Sequence, residues 1–230
     1  MLSVEGLEVR YGGITALRGV SIEVAEGETV LLVGANGAGK SSLINAVIGA
    51  VPSCGGTIRF KGRDMGPLTT DRRARAGIGY SPEGRRVFPT MSVADNVLSG
   101  AFGLGRRRQR EAYDWLCTAF PILAARAKRP AGQLSGGEQQ IVAFARAMCA
   151  QPPLVLLEEP FLGLAPVWIR RISEAIRELQ RRGTTILMTE QMARPALRLA
   201  TRGCVMRGGE VRRSGSVAEI RDLALVEEYL

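Results

Sequence analysis

The sequence predicts an α/β fold with a mixed, mainly parallel sheet, and three observations carry that prediction. A continuously apolar run, Thr29 to Val33, ends in a glycine-rich loop, and apolar residues at helical spacing follow from Ser42 to Ile48. That order reads as strand, loop, helix. Two further apolar runs, Leu154 to Leu157 and Thr185 to Met188, flank a helical pattern from Val167 to Arg182, which implies βαβ connectivity and parallel strands. Between about residues 83 and 150 the apolar positions shift to helical periodicity, punctuated by Pro89, Pro121 and Pro130, the pattern of a helical lobe inserted into the core.

The remaining elements fill in around this frame. Leu7 to Tyr11 and Val20 to Val24 read as antiparallel strands, with Gly12-Gly13 and Glu26-Gly27 as turn signals, so an antiparallel β subdomain opens the chain. Thr57 to Phe60 and Ile78 to Tyr80 are further strands, the second stopping at Pro82. Val205 to Arg207 and Glu210 to Arg212, joined through Gly208-Gly209, read as a hairpin. The expected organisation is a single domain over 1–230, with a core from 1–82 and about 151–230 and a helical subdomain at about 83–150. Its 230 residues, 46% of them hydrophobic, suffice for a sizeable core.

Composition excludes several classes of function. No stretch approaches the roughly 18 to 20 apolar residues of a membrane helix, and Met1 to Arg10 lacks the pattern of a secretory signal; a cytoplasmic location is expected. Cys54, Cys117, Cys149 and Cys204 form no CxxC pair, so neither a zinc site nor a disulfide framework is indicated. The chain has no histidine, which rules out imidazole bases and histidine metal ligands. A net charge of +9 suits a solvated or membrane-facing surface. Its densest cluster, Arg106, Arg107, Arg108 and Arg110, lacks interleaved aromatics that would stack on bases, so no nucleic acid is expected.

Two motifs carry chemistry. Gly34-Ala35-Asn36-Gly37-Ala38-Gly39-Lys40-Ser41 matches the GxxxxGK[ST] phosphate loop and lies between a strand and a helix, as that motif requires. Glycines let the backbone turn its amides inward on phosphate oxygens, and the following helix adds the positive end of its dipole. Gly34, Asn36, Gly37, Gly39, Lys40, Ser41 and Ser42 are the predicted nucleotide contacts, with Lys40 on the β- and γ-phosphates and the Ser41 hydroxyl on Mg²⁺. Leu154 to Leu157 then ends in Glu158-Glu159-Pro160, the way such ATPases set a metal-organising acid beside a general base. Neighbouring positions at a strand end point in different directions, so Glu158 is assigned to the metal and Glu159 to the attacking water.

A third motif narrows the class. Leu134-Ser135-Gly136-Gly137-Glu138-Gln139-Gln140 resembles the LSGGQ signature of ATP-binding cassette (ABC) proteins; Ser135 and Glu138 also form an S-x-x-E capping box opening a helix at Gln139 to Ala150. The resemblance implies a P-loop NTPase core of the ABC type and covers the whole chain. It places Tyr11 on the adenine, Glu83 at the Q-loop position that senses Mg²⁺, Gly163 to Ala165 at the D-loop and Gln191 at the switch position. It gives Ser135, Gly136 and Gly137 to the γ-phosphate of an ATP held by a second subunit. Ser81 to Pro89, Leu162 to Pro166 and Glu190-Gln191 look like the second ATPase subunit of high-affinity branched-chain amino-acid transporters, in which Glu83 and Gln191 would be normal. Glu158 departs from the family's aspartate, its extra methylene shifting the carboxylate by ~1.5 Å.

The resemblance implies a Mg²⁺-dependent ATPase, peripheral to the cytoplasmic face of the inner membrane and energising uptake of branched-chain amino acids or related solutes. Its implied partners are a second ABC ATPase subunit, identical or homologous, integral membrane permeases and, indirectly, a substrate-binding protein. A non-transport ABC ATPase acting on ribosomes or DNA is the alternative, although such proteins usually carry two cassettes or long coiled-coil insertions. A P-loop small-molecule kinase would leave the Ser135 motif without a purpose.

Overall fold

A computed structural model describes residues 1–191 and 193–224; position 192 and the last stretch of the predicted core, 225–230, lie outside the described residues. Strands β1 (Leu2–Tyr11), β2 (Ile14–Val24), β4 (Gly55–Phe60) and β5 (Arg63–Asp64) form an antiparallel sheet in the order β2-β1-β4-β5. A second sheet has the order β10-β9-β3-β8-β7-β6, built from β3 (Thr29–Val33), β6 (Ile78–Ser81), β7 (Leu154–Glu158), β8 (Thr185–Glu190), β9 (Arg202–Arg207) and β10 (Glu210–Ser216). From β6 to β9 its neighbours run parallel, and β10 closes the edge antiparallel to β9. The expected mixed, mainly parallel sheet and N-terminal antiparallel sheet are both present.

The apolar runs of β3, β7 and β8 are continuous because both faces of this sheet are covered. Leu31, Val33, Val155, Leu157, Ile186 and Met188 face one core, while Val30, Leu32, Leu154, Leu156 and Leu187 face the other, as the two-residue period of a strand demands. The first core packs α3 (Val93–Ser99), α4 (Arg106–Ala119), α5 (Pro121–Ala125), α6 (Gly136–Met148) and α7 (Pro166–Arg181) against the sheet. The second sandwiches α1 (Lys40–Ile48) between the two sheets. Each fully buried Leu, Ile or Val contributes about 1.5–3 kcal/mol.

Local chemistry sets the helix ends that matter for the site. Gly39, at φ +106°, precedes α1 and supplies no side-chain cap, so the first amides of α1 stay open to an outside acceptor. Ser135 caps α6 through the expected capping box: its hydroxyl accepts from the Glu138 amide, and Glu138 Oε2 accepts from the Ser135 amide at 2.8 Å. Helix α6 therefore begins at Gly136, three residues before the expected Gln139, because the box fixes Ser135 as the cap. Helices α2 (Thr70–Ala76), α8 (Ala193–Leu197) and α9 (Val217–Ala224) were not anticipated.

Candidate functional site

The phosphate loop, Glu158, Glu159 and Gln191 gather at the carboxyl ends of adjacent parallel strands, where open α/β sheets form their crevice. The phosphate loop leaves β3, Glu158 closes β7, and Glu190 closes β8 with Gln191 immediately after it. Because β3 pairs with β8 and β8 with β7, Val33 lies beside Glu190 and Glu158 beside Thr189. Three segments far apart in sequence thus deliver their ends to one place.

Lys40 is 5% exposed, and its ammonium donates to the carbonyls of Gly34 at 2.6 Å and Ala35 at 3.2 Å. The lysine fastens the loop on itself, with Glu159 Oε1 3.7 Å away. Glu159 has φ +41°, a left-handed backbone that costs a non-glycine residue about 1–2 kcal/mol. The bond from its amide to the Thr189 carbonyl, 3.0 Å, holds it there. Burial pushes the Glu159 pKa up; Lys40 opposes that, while Glu83 and Glu158 add to it. Such a carboxylate is a better base than one in open water.

Glu158 is buried, and one oxygen, Oε2, accepts a short hydrogen bond from the Tyr80 hydroxyl of neighbouring β6. Burial and that bond raise the tyrosine's pKa, keeping it a donor. The other oxygen, Oε1, is buried with no partner among the described residues, as is Ser81 Oγ. A carboxylate oxygen left this way fits a cation or a cation-bound water. No group of three acidic, cysteine or histidine side chains among the described residues could hold a metal by itself. That donor set suits Mg²⁺, which takes one or two protein ligands and completes its shell with water and substrate phosphates.

Tyr11, at the end of β1, is 43% exposed, so its ring is open to stacking. Asn36, Gly37, Ser41 and Glu83 are exposed, whereas Gly39, Ser42 and Gln191 are half-buried. Ser135 caps α6, and Gly136 and Gly137 open it, on an element separate from these strand ends.

Several residues of the site escaped the sequence reading. Glu190 is 1% exposed, and its Oε1 accepts from the Phe161 amide at 3.0 Å; burial pushes its pKa up to about 8. The signal was available, since an acid ends an apolar strand here as it does at Glu158. Tyr80 was read only as a strand residue, because a sequence does not show that β6 lies beside β7. Arg85 is legible in sequence only as the start of the coupling lobe at 85–97, and Trp168 only as a helix residue; their side chains occupy the space that a Cβ on Gly136 and on Gly137 would need.

Comparison with known proteins gives the family. A family model described as ABC transporter matches residues 17–162. The chain is 42% identical to the high-affinity branched-chain amino acid transport ATP-binding protein BraG of Pseudomonas aeruginosa, over 92% of this chain and 91% of that protein. It is 35% identical to the corresponding LivG protein of Salmonella typhimurium, over 96% of this chain and 94% of that one. Among solved structures, it superposes on a nucleotide-free ATP-binding cassette from an ABC transporter with a TM-score of 0.88 at 26% identity, covering 100% of this chain and 96% of that one. The ADP conformation of the cassette MJ1267 gives a TM-score of 0.86 at 26% identity, covering 100% and 96%. The chain belongs to the ABC transporter family, as an ATP-binding and ATP-hydrolysing subunit.

Proposed function

We propose that this chain energises an importer for branched-chain amino acids or related small solutes, working as one of two cassettes beneath membrane permeases that receive solute from a substrate-binding protein. The observation that carries the reading is the meeting of the phosphate loop, Glu158, Glu159 and Gln191 at neighbouring strand ends. The names of the relatives BraG and LivG support the solute class. No helix among the described residues is long and apolar enough to cross a membrane, in keeping with a peripheral subunit on the cytoplasmic face.

The loop amides and the open start of α1 bind the phosphate tail, and Lys40 exchanges the carbonyls of Gly34 and Ala35 for phosphate oxygens. Tyr11 stacks on the adenine. Ser41 and Glu158, with Glu83 nearby, would hold Mg²⁺, which supplies charge neutralisation for the phosphates when bound. Tyr80 fixes the rotamer of Glu158 by holding Oε2, leaving Oε1 toward the cation; this anchoring lets the longer glutamate serve where the family has aspartate. Glu159 accepts a proton from the attacking water while Gln191 orients it or the γ-phosphate by donating a hydrogen bond. Ser135, Gly136 and Gly137 of a second copy seal the γ-phosphate, so that two ATP molecules bind two cassettes head to tail. Hydrolysis weakens the seal, and the helical lobe around 85–97 passes opening and closing to the permeases.

In a strain lacking this gene, plasmid-borne wild type is expected to restore ATP-dependent uptake of labelled leucine. Glu159→Gln is expected to bind ATP within severalfold of wild type yet lose at least 100-fold in turnover and restore no uptake. Hydrolysis unchanged in Glu159→Gln would remove Glu159 as the base, and unrestored leucine uptake by an active wild type would remove the solute assignment.

A further inference from the structure

The start of α6 carries a positive charge that the phosphate-binding part of the reading above does not use. Arg85 lies in a stretch where Gly84, Arg85 and Arg86 have φ of +76°, +68° and +40°. Two adjacent non-glycine residues in the left-handed region are costly, so this conformation is held by its surroundings. Arg146, from α6 itself, donates to the Arg86 carbonyl at 2.8 Å and lies over the Phe88 ring at 5.0 Å. This ties the stretch to the helix. The result is a half-buried Arg85 whose guanidinium lies against Gly136, the first residue of α6, in the space that a Cβ there would take unless the arginine moved aside.

A cation is unfavourable at the positive end of a helix dipole unless an anion joins them. None of the protein's own does so: Arg85 makes neither an ion pair nor a side-chain hydrogen bond among the described residues. The one carboxylate in the first turn, Glu138, is engaged with the Ser135 amide in the capping box. Among the described residues, the amides of Gly136 and Gly137 also have no acceptor, since only those of Ser135, Glu138 and Gln139 are taken nearby. Free amides and a free guanidinium are the donor set of a phosphate.

We infer that Arg85 is a binding residue for the γ-phosphate of the ATP held in the other copy's phosphate loop, acting across the dimer beside Gly136 and Gly137. This rests on the head-to-tail reading given above and adds to it a positive charge in trans. Glycine at 136 then has two reasons: it frees the helix start for phosphate, and it leaves room for the guanidinium. Arginine rather than lysine is called for because a planar fork can grip two phosphate oxygens while lying flat on a glycine.

The test uses full-length protein in a Glu159→Gln background, measuring the Mg-ATP concentration that gives half-maximal dimer by light scattering. Arg85→Ala is expected to raise that concentration about tenfold or more, and Arg85→Lys by less, while fluorescent-nucleotide affinity of the monomer and melting temperature stay near the parent's. Ser135→Arg, run alongside, is expected to abolish dimerisation. Dimerisation unaffected by Ser135→Arg overturns the head-to-tail reading and this inference with it. If Ser135→Arg blocks but Arg85→Ala matches the parent, or dimerises at lower ATP, the Arg85 assignment alone is overturned. Mixing subunits decides the direction of action. A Lys40→Ala subunit paired with an Arg85→Ala subunit keeps one complete site if Arg85 acts in trans, and one ATP per mixed dimer is expected; none would place Arg85 on its own subunit's nucleotide and refute the inference.

Discussion

Glu158 and Glu190 show what a single residue's surroundings add to its type. Both end apolar strands, yet Glu158 is gripped by Tyr80 at one oxygen and Glu190 by the Phe161 amide. The sequence made the first acid legible through its place beside Glu159. The second is legible only as part of the Glu190-Gln191 pair, and its own role depends on burial and on the backbone folding over it. Burial holds Glu190 at about 8 against an ordinary 4.5. Above pH 4.5 the unfolded chain releases this proton, whereas the folded chain keeps it until about pH 8. This residue's contribution to stability therefore falls as pH rises between those values and levels off beyond them. The slope is roughly 1.4 kcal/mol per pH unit. Nucleotide-free Glu190→Gln is expected to lose that slope while keeping the acceptor for Phe161. Melting temperatures from pH 5 to 8 measure it, and parallel curves for the two proteins would show that Glu190 is charged in the fold.

Among the elements, α6 joins the signature to the core. Its inner face buries Ile141, Phe144, Ala145 and Met148, and the Phe144 ring meets Phe120 edge-on, centroids 5.8 Å apart. The first turn is clasped between Arg85 and Trp168 of α7. Phe144→Ala is expected to cost about 3–5 kcal/mol and to weaken dimerisation indirectly by loosening the helix, as urea unfolding would register; a loss below 1 kcal/mol would mean the cluster repacks. Long elements with strong periods were legible: β3, β7, β8, α6 and α7 all fall near their expected positions. Helix α2 was not, because Thr-Asp-Arg-Arg-Ala-Arg-Ala has no apolar stripe. It is held instead by Arg73, buried and donating to the Ala46 and Val47 carbonyls at 2.6 and 2.8 Å. Only the tertiary partner makes sense of that arginine. Strand β5, two residues long, likewise exists through its pairing with β4.

At the scale of the whole molecule, the two sheets, the intervening α1 and the helices on the far face assemble half a catalytic device. One end of the parallel sheet offers the phosphate loop with Lys40, Glu158 and Glu159, and a separate surface offers Ser135, Gly136, Gly137 and Arg85. Under the head-to-tail reading proposed above, the two answer each other across a pair of chains. The phosphate loop, the strand-end acids and the Ser135 motif are visible in one dimension; Arg85 at the helix start and the supports Tyr80, Arg146 and Trp168 come from chain segments that only folding brings together. The most direct measurement is a structure of Glu159→Gln with Mg²⁺ and ATP. The account predicts a triphosphate wrapped by residues 34–41 of one copy, with residues 135–137 of its partner on the γ-phosphate. An empty phosphate loop, or a bound triphosphate that no facing signature reaches, would contradict it.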